Sequence, residues 1–147
     1  NFCYIKDKLV CIDKELLNGL SFYHKMTSND IEVGEENEVV SALIKKIKLD
    51  IDYKNNTVLK LKVYISISDN LRNKTKDEIE SIFEEQIKKY IIDTYDIAKS
   101  NDVDVYNIED GYKRYKNKDI NIDDLTDFII NKIKIIIFEI STTIVYF

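Results

Sequence analysis

The chain has no proline and no tryptophan, and only three glycines, two cysteines and one histidine in 147 residues. Each shortage removes a class of function. Gly19, Gly34 and Gly111 stand too far apart to build a phosphate-cradling loop, which needs several glycines within one turn. Two cysteines are too few for a disulfide scaffold or a zinc site. The single His24 lies in a helical stretch among aromatic and basic residues, without a partner nearby in sequence, so Ser-His-Asp or Cys-His catalysis has little support. No segment is long and apolar enough to cross a bilayer: the most hydrophobic, Ile133 to Phe147, is interrupted by Lys134, Glu139, Ser141, Thr142 and Thr143. The net charge of −5 weighs against nucleic acid or an anionic membrane as the main partner. The chain opens at Asn1 with no basic or apolar leader, as a mature form or an excised piece of a longer protein would.

What is present is a globular composition, 44% apolar and 33% charged, long enough for one domain over residues 1–147. Ile, Lys, Asn and Tyr abound, as the codon usage of an AT-rich genome gives. Phe2 to Ile5 and Leu9 to Ile12 read as a hairpin about Lys6-Asp7-Lys8. A three-residue loop would set Cys3 opposite Cys11, either as a strained cross-strand disulfide or, more simply, as two half-buried thiols. Asp13 to Lys25 carries Leu16, Leu17, Leu20 and Tyr23 or His24 at helical spacing, with Asp13 as N-cap. The polar stretch Thr27 to Glu38 reads as a loop.

Two alternating segments follow. Leu43, Ile47, Leu49, Ile51 and Tyr53 fall on one face of the first, with Lys45 breaking the row and Ile44, Lys46, Lys48, Asp50 and Asp52 on the other. The second carries Leu59, Leu61, Val63, Ile65 and Ile67 on one face and Lys60, Lys62, Tyr64, Ser66 and Ser68 on the other. A three-residue loop Asn55-Asn56-Thr57 keeps the apolar faces together and sets Asp50 against Lys62 and Asp52 against Lys60. Thr75-Lys76-Asp77-Glu78 is a capping box. Behind it Ile79, Ile82, Phe83, Gln86, Ile87, Tyr90, Ile91, Thr94, Ile97 and Ala98 predict a helix to about Ser100, broken by Asn101 to Asp104. Val105 to Lys116 reads as a shorter helix or turn, Asn121 to Ile130 as another, and Lys132 to Phe147 as a strand. The fold class is α+β: an antiparallel sheet of about four strands with one long helix and shorter helices packed on it.

Two acidic runs invite a calcium test and fail it. Asp102, Asp104 and Asn107 have Tyr106 at the fifth place and no glycine at the sixth; Asp119, Asn121 and Asp123 meet Asp124 there and Ile130 where the bidentate glutamate belongs. Capping and solvation explain them better. Adjacent acids such as Glu84-Glu85 and Asp123-Asp124 diverge on a helix. The residues therefore supply no catalytic, cofactor or metal site. One cluster invites binding: Tyr106, Tyr112 and Tyr115 near Lys113 and Arg114, since tyrosine and arginine anchor interfaces. Packing of those rings against the sheet is an equally good reading. With Asp104 beside it, the candidate interaction surface is Asp104, Tyr106, Tyr112 and Arg114.

Five stretches occur in a telling order: Tyr4-Ile5-Lys6-Asp7-Lys8-Leu9-Val10; Leu17-Asn18-Gly19-Leu20; the paired strands ending in Ser68-Asp69-Asn70-Leu71; Ala98-Lys99-Ser100-Asn101-Asp102-Val103-Asp104-Val105; and the terminal Ile133 to Ile144 strand. Together they resemble the C-terminal domain of the Ger(x)C family, the lipoprotein C subunits of spore germinant receptors. The likeness runs through nearly the whole chain. Cys11 and Asn107 stand where the family commonly has glycine, and the family's tryptophans near the C-terminal helix are missing. The resemblance implies a non-enzymatic role in spore germination, through protein–protein contacts with two integral-membrane receptor subunits. It also implies a place on the outer face of the spore inner membrane, held by a lipid anchor upstream of this segment and not by the segment itself. A secreted or surface-anchored ligand-binding module is the alternative.

Overall fold

Alternation of side chains builds the centre of the molecule. In the computed structural model, which describes residues 2–5, 8–11, 14–27, 30–34, 39–54, 57–67, 74–118 and 129–140 (backbone alone before 19 and after 118), β4 (Val40–Asp52) and β5 (Val58–Ile67) form an antiparallel hairpin. Leu59, Leu61, Val63, Ile65 and Ile67 of β5 are all buried, as their period-two spacing predicts. On β4 the buried row is Val40, Ala42 and Ile44, then Ile47. The expectation for this strand therefore needs correction at its start: Leu43 lies on the outer row and Ile44 on the inner one. A bulge between Ile44 and Lys46 absorbs Lys45 and shifts the parity, which keeps both apolar halves facing the core.

The register also differs from expectation. Leu49 pairs with Leu61, Ile51 with Leu59, Asp50 with Lys60, and Lys48 with Lys62, two residues away from the pairing predicted through Asn55-Asn56-Thr57. A shift of two preserves which face each residue occupies, so the apolar pattern does not oppose it. Asp52 still meets Lys60, but diagonally, with Nζ 3.1 Å from Oδ2. The Lys54 amide donates to Asp52 Oδ1 at 2.9 Å, and this bond together with Lys60 holds the carboxyl below its usual range.

Two more strands complete the sheet in the order β3-β4-β5-β6. β3 (Asp30–Val33) pairs antiparallel with β4 inside the stretch read as a loop; Ile31 and Val33 are buried while Asp30 and Glu32 are exposed. Four residues of alternation among polar neighbours give too short a signal to separate from a loop. β6 (Ile129–Ile140) begins three residues before the expected strand and runs parallel to β5, so that three strands are antiparallel and the fourth is not. Ile129 and Ile130, assigned to a helix from sequence, belong to this strand; the rest of that helix, 121–128, lies outside the described residues.

At the chain start β1 (Phe2–Ile5) and β2 (Lys8–Cys11) form the expected hairpin in another register, with Cys3 opposite Val10 and Cys11 opposite Phe2. The cysteines are not cross-strand partners, because the closing pair is Ile5 with Lys8 and not Ile5 with Leu9. α1 (Lys14–Tyr23) follows, and its proposed cap Asp13 lies outside the described residues.

α2 (Lys76–Ser100) covers the sheet. Thr75 caps it by accepting the Glu78 amide at 3.2 Å, as the Thr-x-x-Glu spacing predicts. Its buried stripe is Ile79, Phe83, Ile87, Ile91, Thr94, Tyr95 and Ala98, whose apolar members share one core with the inner rows of β4 and β5. α1 lies close on α2 at Gly19, where a Cβ would come within 2.6 Å of the Tyr90 carbonyl oxygen and also strike the Thr94 side chain. Among the described residues no helix is long and apolar enough to cross a membrane.

Candidate interaction surface

The segment after α2 is shaped by backbone capping. Asp102 adopts φ 56°, its amide donating to the Lys99 carbonyl at 3.0 Å and that of Val103 to the Ala98 carbonyl at 2.8 Å. These two bonds and the left-handed residue close the helix in a Schellman motif, with Val103 buried behind it. Asp104 then starts α3 (Ile108–Lys116): its carboxylate accepts the Ile108 and Glu109 amides, each at 2.8 Å. Asn107 between them has φ 52°, a left-handed conformation that asparagine tolerates. Asp102 and Asp104 are thus capping residues. Among the described residues no group of three or more His, Cys, Asp or Glu is placed to hold a metal ion.

The four candidate residues divide into two pairs. Asp104 is 5% exposed and Tyr106 1%, so neither offers a surface. The Tyr106 hydroxyl donates to the Ile91 carbonyl at 2.8 Å, and its ring stacks on Tyr95 with centroids 6.3 Å apart. Burial pushes this phenol far above its ordinary range. Tyr106 is thus an interior ring, but its hydrogen-bond and ring partners are Ile91 and Tyr95 of α2 and Tyr23 of α1 and not the sheet that the ring-packing reading named. Tyr112 and Arg114, by contrast, stand on the outside of α3, half-buried and exposed respectively. Lys116 Nζ sits 5.1 Å from the Tyr112 ring centroid, and Arg114 Nε reaches the Asp110 carbonyl at 3.4 Å.

Sequence reasoning left out two residues that shape this region. Tyr53, beyond the end of β4, lies against Gly111 of α3, where any Cβ would enter its ring, and stacks on Tyr115 at 6.4 Å between centroids. Burial, then the nearby Asp104 and Tyr23, push its hydroxyl up to about 12, with Arg114 acting in the opposite sense. Tyr23 ends α1 and accepts a hydrogen bond from Asn107 Nδ2 at 3.0 Å. Tyr23, Asn107, Asp110, Lys113 and Arg114 line an open groove of about 440 Å³. The signal that could have found it was a third glycine, Gly111, inside a helix, where a missing Cβ often marks close approach of another group. The exposed surface is therefore a strip of tyrosine, lysine and arginine along α3, held by capping at one end and by Tyr53 beneath it. It can contact a partner through rings and cations.

A four-stranded sheet with one long helix across it and a short capped helix at its end defines an α+β domain with its distinctive chemistry on that helix. The same fold occurs in the crystal structure of the GerBC protein, with a TM-score of 0.62 and 19% sequence identity; the match covers 90% of this chain and 48% of that one. The GerC-like fold expected from the sequence resemblance is thus present, and the chain spans about half the length of the solved GerBC protein. No protein-family model and no curated protein matches the sequence.

Proposed function

We propose that this chain is the C-terminal portion of a lipoprotein C subunit of a nutrient germinant receptor, a non-enzymatic part that acts in spore germination through protein–protein contacts. The observation that carries this reading is the GerBC likeness over 90% of the chain, reached independently of the short motifs that first suggested the family. In this reading the partners are integral-membrane receptor subunits. The domain sits on the outer face of the spore inner membrane, held by a lipid anchor upstream. Tyr112 and Arg114 are the contact residues of choice, because they remain on the surface while Asp104 and Tyr106 build the helix that presents them.

The test is genetic and has a structural control. Spores lacking the full-length gene are expected to lose their response to one nutrient set, measured as loss of refractility, and to regain it on complementation. Complementation with Tyr112→Ala/Arg114→Ala should fail while the subunit is still present at normal level. Germination unchanged for every nutrient, even with the other receptors deleted in turn, would reject the reading. The groove at Tyr23, Asn107 and Asp110 would then favour a ligand-binding module.

A further inference from the structure

The outer face of the sheet carries a charge pattern that the receptor reading does not use. Lys48 stands directly opposite Lys62, and Lys46 directly opposite Tyr64. Lys46 and Lys48 both approach the Tyr64 ring, at 5.9 and 5.7 Å from its centroid. On the far side of β5 the register sets Lys132 beside Lys60 and Lys134 beside Lys62, so Lys48, Lys62 and Lys134 follow one another across three strands. Like charges in directly opposed positions repel. Among the described residues no carboxylate is paired with Lys46, Lys48 or Lys62; Lys60 alone of this group has one, in Asp52. The acids on this side stand around the lysines: Asp50 opposite Lys60 and Asp52 toward the hairpin end, Asp30 and Glu32 on β3, and Glu139 of β6 in register with Ser66.

We propose that this lysine face is a docking surface for an anionic lipid bilayer. Three observations select a membrane over a protein partner. The cations are lysines and none is arginine, so they act as mobile point charges suited to a diffuse anionic surface, without the planar fork that reads individual carboxylates. Tyr64 is covered by two of them, which leaves it unavailable as an aromatic anchor. On β5 the apolar residues turn inward while Lys60, Lys62, Tyr64 and Ser66 stay partly exposed on the other face, so a flat layer of headgroups meets these charges without needing a pocket. The net charge of −5 weighs against such binding by the chain as a whole, but at physiological salt charges beyond about 8 Å are largely screened and the local patch decides orientation.

Flotation with vesicles tests it. The 147-residue chain should bind vesicles of equimolar phosphatidylcholine and phosphatidylglycerol, and not vesicles of phosphatidylcholine alone. Binding should vanish at about 1 M salt, where the screening length falls to about 3 Å. Lys46→Gln/Lys48→Gln/Lys62→Gln should lower partitioning about a hundredfold, whereas Lys76→Gln/Lys89→Gln/Lys118→Gln, an equal change in net charge elsewhere, should leave it nearly unaltered. Circular dichroism of both variants confirms that they fold. Absence of binding, or equal loss in the two variants, overturns the proposal. So does the opposite preference: a poly-glutamate peptide captured through the same three lysines while the anionic vesicles stay free would assign the face to an acidic protein. None of these outcomes depends on germination, so this inference and the receptor reading stand or fall separately.

Discussion

The two faces of the central sheet are made from the same residues in alternation, yet they are governed by different physics. On β5 the odd positions from Leu59 to Ile67 are buried to 2% exposure or less, beneath α2. The even positions carry Lys60, Lys62, Tyr64 and Ser66, all partly exposed. On the inner face shape decides, since each apolar side chain must find a neighbour of matching volume. On the outer face charge placement is free enough that two lysines can stand opposite one another. A fold tolerates such a pair because exposed charges are solvated, and the inner face supplies far more than the repulsion removes.

Substitutions on either side sharpen the contrast. Phe83→Ala, beneath the helix, is expected to destabilise by about 3–5 kcal/mol in urea unfolding. Tyr64→Ala on the other face should cost much less, and equal losses would show that the outer face is packed rather than solvated. Asp104→Ala comes next. Removing a buried carboxylate that holds two amides should cost about 2 kcal/mol and loosen α3, seen as faster amide exchange at Ile108 and Glu109. Asp52→Asn, at an exposed ion pair, should leave the urea midpoint nearly unchanged.

Tyr53 gives a pH test. Its hydroxyl is raised in the folded state to about 12 from an ordinary value near 10, so the folded protein holds that proton more tightly. The stabilisation is complete below about pH 10 and is lost as pH rises toward 12. Tyr53→Phe should therefore reduce the alkaline fall in thermal midpoint between those values, and an unchanged slope would place the loss at another group. Smallest of all, Lys62→Glu should raise the urea midpoint without changing its slope, a gain of about 0.2–1 kcal/mol from replacing repulsion with attraction across from Lys48. A loss there would mean that Lys62 is held by something the sheet alone does not show.

The same contrast explains what the sequence made legible. The inner face was readable because burial imposes a strict period: the row from Leu59 to Ile67 and the stripe from Ile79 to Ala98 follow from spacing alone. Thr75 was readable because capping chemistry is local. The hairpin register was not, since Asp50 finds a lysine opposite it in either pairing and a shift of two keeps every residue on its face. Lys45 was noticed as an interruption of the apolar row, but only the paired strand shows that it marks a bulge. Of the candidate surface, the aromatic and basic composition was visible, while the division between interior Tyr106 and exterior Tyr112 was not. That division depends on Ile91 and Tyr95, which reach Tyr106 only after α2 has turned back over the sheet. Tyr95 itself follows Ile91 by one helical turn and was available to the same periodic argument.

The parallel pairing of β5 with β6 has a consequence for how the molecule is made. Lys62 and Lys134 are register neighbours, yet about 60 residues, including all of α2 and α3, separate the end of one strand from the start of the other. At ordinary rates of synthesis this interval lasts roughly 3–12 s. Throughout it the hairpin and its covering helix can assemble, but the side of β5 that will receive β6 has no strand to pair with. A nascent chain in that condition presents an adhesive border of unbonded amides and carbonyls, and a message truncated before the β6 segment would leave it so permanently. β6, made after both helices, is thus the strand that ends this exposure of β5 to self-association.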